Sequence, residues 1–208
     1  MQPLISISPY QQEHLEAAAL AANHLDSLDS ERIGALKSAS RNYLEFRDEV
    51  DTFLNRHFAS TCTQTCFQSN LSTCCSREGI IAFFADIVIN TLYASREERH
   101  TLIEVLQTPN IGAKCIYLKP HGCLWQIKPI VCQMFLCDTA MQRVFSARPD
   151  AESVWITLRK REKEFTWPDK KILFDDLEMF FINAGYDSPL MYLHHSPGLL
   201  LVKKRAGL

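Results

Sequence analysis

The chain has no cysteine before residue 62 and none after residue 137, although eight lie between. It has only seven glycines in 208 residues and no low-complexity stretch, which excludes long flexible linkers and repeat arrays. No apolar run approaches the roughly 20 residues that cross a bilayer. Met1 to Tyr10 lacks both the basic start and the apolar stretch of a secretion signal. Neither sign of charge is in excess: 22 basic and 24 acidic residues leave a net charge of −2, so there is no global basic field to hold nucleic acid or an anionic membrane. Glycine-rich phosphate loops, G-x-S-x-G elbows, H-E-x-x-H helices and dinucleotide fingerprints are missing too. These absences predict a cytoplasmic chain with no nucleic-acid and no membrane partner, leaving an unknown protein partner or substrate as the open class. With 47% hydrophobic residues, the chain has enough apolar surface to bury a core.

The cytoplasmic reading decides what the cysteines are for. Thiols stay reduced there, so four structural disulfides are not expected. Cysteine is also only about 4% of the chain, below the density of disulfide-stapled scaffolds. Confinement to one segment points to a local site.

Along the chain, the pattern predicts a mainly α protein, one helical domain over 1–208 with small β-hairpins and a cysteine-rich metal-binding segment. Residues 10–25 are alanine-rich, with Leu15, Ala18, Ala19, Ala22 and Leu25 approximating one apolar face. Asp29 or Ser30 caps a longer helix over 29–58, whose seam is Leu36, Ala39, Tyr43, Phe46, Val50 and Phe53. Together these make a helical-hairpin scaffold, 1–58. From Ala59 to Arg77 periodicity is lost in a polar loop containing four cysteines. A very apolar helix follows over 79–93 with a single acid, Asp86, and then a helix over 95–107 capped by Ser95 and ended by Pro109.

Residues 115–127 read as a β-hairpin turning at Lys119 to Gly122, with Cys115 starting one strand and Cys123 opening the other. Pro129 then starts a helical segment that carries Cys132 and Cys137, closing the metal-binding region at 59–146. The last part, 147–208, gives helices over 150–165 and 169–184 and a second hairpin from Met191 to Lys204, turned at Ser196-Pro197-Gly198.

The cysteines form two blocks, Cys62-x3-Cys66-x7-Cys74-Cys75 and Cys115-x7-Cys123-x8-Cys132-x4-Cys137. Thiolate is a soft donor that selects zinc, copper(I) or iron–sulfur clusters. Four thiolates complete one zinc site or one cluster, so eight can fill two sites, or four can bind while the rest pack. No C-x2-C knuckle occurs, which disfavours a zinc ribbon, and ferredoxin spacing is absent. Adjacent cysteines in an extended segment point opposite ways, so Cys74-Cys75 suits a multi-iron cluster or two neighbouring sites better than one ion. The cofactor expected is therefore an iron–sulfur cluster, slightly preferred, or zinc. Cys132 and Cys137, among Ile130, Val131, Met134, Phe135 and Leu136, also suit plain core packing.

On these residues the sequence resembles the YkgJ-like family of zinc- or iron-chelating cysteine-cluster proteins. That family shows C-x2-C-x2-C-C, then C-x-[FY]-L, C-x-[IV]-[YW] and [RK]-P-x-x-C. The second half matches in Cys115-Ile116-Tyr117-Leu118 and in Lys128-Pro129-Ile130-Val131-Cys132, and Gly122-Cys123-Leu124-Trp125 stands at the place of the middle element with its aromatic one residue nearer the cysteine. In the first half Cys62, Cys66, Cys74 and Cys75 supply the four cysteines, with the gaps stretched to three and seven, and Cys137 lies outside the pattern. The resemblance covers 62–137 and implies a metal or iron–sulfur site. A more distant likeness is to flagellin lysine N-methylases, which carry a similar cluster in a longer chain.

Two functions follow as expectations: a metal-binding protein with a carriage, sensing or redox role, or a cluster-dependent protein-modifying enzyme of methylase type. A helical interaction module with structural zinc is the third. His57 and His121, close to cysteines, are candidates to replace a thiolate, although a turn or surface role is commoner. Asp86 must be paired, hydrogen-bonded or protonated if buried; it is a candidate general base, or a cap for neighbouring backbone. His194-His195 beside a turn, the mixed run Arg159 to Glu164 and the basic Lys203-Lys204-Arg205 read as solvated surface.

Overall fold

A computed structural model describes residues 6–79 and 81–208. The reading of the extreme N-terminus (1–5) and residue 80 of the apolar helix lie outside the described residues. The protein is mainly α-helical, with one small antiparallel hairpin among the described residues.

Helix α1 (Pro9–Asp26) starts on a reciprocal cap: Ser8 Oγ accepts from Gln11 N–H and the Gln11 side chain accepts from Ser8 N–H. Its buried face is Gln11, His14, Ala17, Ala18, Ala21 and Leu25, rotated slightly from the face expected, so Ala17 and Ala21 take the core positions that Leu15 and Ala22 were assigned. The long helix expected over 29–58 is two, α2 (Ser30–Ala39) and α3 (Arg41–Phe58). The break is at Ser40, whose hydroxyl donates back to Lys37 C=O and also meets Tyr93 OH, competing with the regular helical ladder. The seam is otherwise as read, except that Ala39 is exposed and Ser40 is buried in its place. Helix α1 also packs on α4 (Phe84–Tyr93) and α5 (Arg96–Gln107), while α3 packs on elements later in the chain. The two N-terminal segments therefore do not form the expected hairpin with each other.

Helix α4 is the centre. Every residue from Phe84 to Leu92 is buried, the condition a helix apolar on all sides requires. It starts five residues later than the pattern suggested. Helix α5 is capped as read, with Ser95 and Glu98 bonding each other's backbone N–H. Strands β1 (Leu118–Lys119) and β2 (Gly122–Cys123) pair Leu118 with Cys123 and Lys119 with Gly122, and Gly122 takes a φ of 125° that side-chain-bearing residues rarely adopt. Cys115 precedes the strand it was expected to start, and Cys123 closes the strand it was expected to open.

Helices α6 (Ile130–Gln133), α7 (Asp138–Ala147), α8 (Pro149–Thr166) and α9 (Leu173–Asn183) follow. The second expected hairpin does not form. Residues 192–205 are instead α10 (Tyr192–His195) and α11 (Pro197–Arg205). Pro197 occupies the first turn of α11, where its missing N–H costs nothing, and a leucine and lysine run continues it. The basic end is not all solvated either: Lys203 is buried, with its ammonium on Asp175 at 2.8 Å and on Lys170 C=O at 3.1 Å. One contiguous core runs through α1, α3, α4, α7, α8 and α9, with Tyr43, Phe46, Phe84, Phe174 and Phe181 fully buried in it.

Candidate metal centre

The polar segment after α3 is not a loop at first. Residues Ala59–Phe67 continue the chain as a π-helical turn carrying Cys62 and Cys66. π-helical backbone is uncommon and often marks functional sites. Beyond it the chain reverses through left-handed residues at Asn70 (φ 60°) and Ser72 (φ 37°), and both Leu71 and Ser72 N–H donate to Cys66 C=O. Cys75 N–H then donates to Ser72 C=O at 3.0 Å.

Backbone hydrogen bonds join this block to the second one. Cys115 N–H donates to Cys75 C=O at 2.9 Å, Arg77 N–H to Ala113 C=O at 2.9 Å, and Ser76 faces Lys114 in an antiparallel bridge. The Lys114 ammonium adds bonds to the carbonyls of Leu71 and Ser72. The two cysteine stretches, forty residues apart between Cys75 and Cys115, are thus neighbours in space.

The segment bearing Cys132 is held from beneath by polar groups that the core would otherwise reject. Asp86 is buried and accepts from Phe83 N–H (3.0 Å), capping its own helix, and from Ile130 N–H (3.2 Å). One turn on, Asn90 accepts from Ile127 N–H at 3.0 Å, so two polar residues at i and i+4 on α4 dock the backbone of 127–130. From the other side the buried Arg47 guanidinium donates to Gln133 Oε1, to Tyr43 OH and to Lys128 C=O, and Gln133 returns a bond to Arg47 C=O. The reading of Asp86 as a backbone cap is the one that the geometry matches. Burial pushes its carboxyl up to about 6, against the two backbone bonds and Arg47, which pull it down.

A cavity of about 630 Å³ opens above this platform, and six of the eight cysteines line it: Cys62, Cys74, Cys75, Cys115, Cys123 and Cys132. Phe67, Leu118, Val131 and Phe135 make its apolar wall, and His121 and Lys128 its polar edge. Cys66 and Cys137 are outside the lining, Cys137 as the residue that caps α7. All eight are free thiols. The adjacent pair departs from the expected geometry: Cys74 and Cys75 face the same cavity and hydrogen-bond each other, because the chain here turns rather than extends.

Crowded sulfurs leave their mark on proton affinity. Burial pushes Cys62 up to about 11, with Cys137, Cys74 and Cys66 adding repulsion. Burial likewise pushes Cys115 up to about 11 and Cys132 up to about 12, the latter helped by Cys123 and Cys115. The hydrogen bond within the pair raises Cys74 and lowers Cys75, making Cys75 the more acidic of the two. Cys62, Cys74, Cys115, Cys123 and Cys132, all raised, are thiols at neutral pH that a cation must deprotonate.

Of the two histidines considered as ligands, His121 lines the cavity and His57 does not. His57 faces a separate groove with Glu45, Asp48 and Glu49, where burial lowers its proton affinity and its Nδ1 has no partner. Arg47, Asn90, Lys114 and Gln133 were not singled out from the sequence. The signals were there for Asn90, a second polar residue four places after Asp86, and for Arg47, a charge inside an aromatic seam.

Thiolate is a donor type that soft metals take. Tetrahedral zinc with bonds of 2.3 Å brings its sulfurs to about 3.8 Å from one another. Among the described residues, no three cysteine sulfurs lie within 4.8 Å of one another; the one trio of ligand-type groups that does is Asp187, His194 and His195, elsewhere in the fold. No family model, no curated protein and no solved structure matches the chain.

Proposed function

We propose that the protein holds a thiolate-ligated metal centre in this cavity, an iron–sulfur cluster in preference to zinc, and serves in metal or cluster carriage, sensing or redox chemistry. The observation that carries the reading is that six free cysteines from two separated stretches surround one space. Cys75, Cys115, Cys123 and Cys132 are the core of the ligand set, because each belongs to the cavity and their sulfurs repel one another's charge. Cys62 and Cys74 stand at its edge, and Cys66 and Cys137 serve the surrounding structure. When bound, a cluster supplies one-electron chemistry, or an open iron for a substrate. The protein's own part is to hold Cys132 on the Asp86, Asn90 and Arg47 platform, to shield the sulfurs with apolar side chains, and to release protons on loading. Free thiols throughout accord with a reducing, cytoplasmic setting. No described helix is long and apolar enough to cross a membrane.

Purification without air, followed by absorption spectroscopy and iron, sulfide and zinc analysis, tests this. The expected result is a coloured protein whose colour is lost with serine at Cys75, Cys115, Cys123 or Cys132 and kept with serine at Cys66 or Cys137. Colourless, metal-free protein of ordinary stability refutes it.

A second reading, a protein-modifying enzyme, is favoured by the size of the space. A cavity of about 630 Å³ with an apolar wall is within the range of small-molecule sites. A change in the spectrum of loaded protein on adding candidate substrates or peptides supports that reading, and a spectrum indifferent to all of them leaves the first.

A further inference from the structure

The trio Asp187, His194 and His195 shares no residue with the cysteine cavity and rests on a different part of the chain. Helix α9 stops at Gly185, whose φ of 86° lets Tyr186 N–H reach back to Phe181 C=O. The loop that follows carries Asp187 and is closed by Met191 N–H on Ser188 C=O at 2.9 Å. His194 and His195 N–H both return to Met191 C=O, which makes the single turn of α10. Buried groups hold that turn from below. Glu178, fully buried, accepts from Tyr192 N–H (3.2 Å) and Leu193 N–H (2.9 Å), and Tyr192 OH donates to Asp175. The backbone of the turn is therefore held by buried groups while the three side chains on it are exposed.

On that frame Asp187 Oδ1 meets His194 Nδ1 at 2.9 Å and His195 Nε2 at 2.9 Å, and all three atoms lie within 4.8 Å of one another. We infer that Asp187, His194 and His195 form a second metal site, independent of the cysteines, for a borderline divalent transition ion such as Zn²⁺.

The chemistry of the set selects that class. Imidazole and carboxylate suit zinc, nickel and copper(II), and the absence of thiolate from the trio removes the preference for copper(I) or iron–sulfur. Bonds of 2.0–2.2 Å to an ion place tetrahedral donor atoms about 3.4 Å apart, so the 2.9 Å contacts open only slightly to admit it. The protons balance without loss from either ring. Each neutral imidazole moves its proton to the outer nitrogen, Nε2 of His194 and Nδ1 of His195, freeing the inner lone pair for the ion while Asp187 keeps its charge. Three protein donors leave a position for water or a partner's side chain. The bound ion ties the loop leaving α9 to the residue just before Ser196 and Pro197, and so steadies the start of α11.

Calorimetric titration with Zn²⁺ tests the inference on the full chain, after its thiols have been saturated with zinc and every ion held more weakly than by thiolate has been stripped on a chelating resin. One further equivalent is expected. It is lost, or weakened beyond the 10–100-fold that removal of even an outer partner costs, in Asp187→Ala and in the double variant His194→Ala/His195→Ala. His100→Ala, an exposed histidine paired only with Glu104, retains it. Circular dichroism checks folding, and Asp187→Asn with His194→Gln offers a gentler pair if the alanine variants unfold. Co²⁺ in the same position gives an absorption spectrum without sulfur-to-metal charge transfer. Equal binding by wild type and variants, the same loss in His100→Ala, or a thiolate-type cobalt spectrum for the extra equivalent overturns the assignment. None of these results depends on what fills the cysteine cavity.

Discussion

Replacing Asp86 by asparagine separates two consequences of burying an acid beneath Cys132. Asparagine keeps the shape and one acceptor, but its amide turns a donor toward one of the two N–H groups, Phe83 or Ile130, that the carboxylate satisfies. An orphaned buried N–H costs about 1–3 kcal/mol, and that is the expected loss at pH 7.5. The wild-type carboxyl is pushed up to about 6 from 3.8, so the folded state binds a proton that the unfolded chain has already released. Its contribution is therefore largest below pH 3.8 and fades as pH rises through 6, whereas asparagine does not titrate. The two-unit gap corresponds to about 3 kcal/mol when complete, of which about 2 kcal/mol lies between pH 7.5 and pH 4.5. Urea unfolding of reduced, metal-free wild type and variant at both pH values gives the difference directly, with other titrating groups cancelling. The substitution should cost about 2 kcal/mol more at pH 4.5 than at pH 7.5. An equal or smaller cost in acid refutes the argument that the carboxyl is raised by burial. Because Ile130 N–H loses its anchor in some molecules, metal affinity of the variant should also fall by about 10–100-fold, as for loss of other outer partners.

Arg47→Met removes three donors at once and leaves Gln133 Oε1 and Tyr43 OH unsatisfied in the core, so at about 1–3 kcal/mol for each a loss of about 2–6 kcal/mol is expected in denaturant unfolding. Metal-free protein should lose thermal stability as pH rises above 9. The thiols of Cys62 and Cys115 are raised to about 11 and that of Cys132 to about 12, so they stabilise the fold only while protonated, and loaded protein should be indifferent over the same range. Lys203→Met leaves Asp175 buried without its cation. Hydrogen exchange should rise across 197–205, with α4 unchanged.

Much of the helical framework could be read from the chain because helical periodicity is a local property. Trp155 and Leu158 follow Ala151 at spacings of four and three, and all three are buried on α8; Ser95 and Glu98 cap α5 by contacts that span three residues. What escaped the reading was decided over distance. Residues 192–205 look like strand–turn–strand by composition, since Pro-Gly after Ser196 is ordinary turn chemistry, yet a proline also starts helices, and Lys203 finds Asp175 only once α9 is in place. The polar run after Phe58 keeps helical form against its composition as a π-helical turn packed on α3 and α7.

The same distinction governs the site. Soft donors in two blocks could be recognised from spacing, but the contact that makes them one site is carried by main chain, Cys115 N–H on Cys75 C=O and Arg77 N–H on Ala113 C=O, and main-chain pairing leaves no side-chain signature. Nor does sequence reveal that Asp86 and Asn90 spend their hydrogen bonds on the backbone of 127–130. That arrangement explains why a buried central helix keeps Asp86 and Asn90: they convert it into the support for Cys132, whose own helix is a single turn too short to be stable without it.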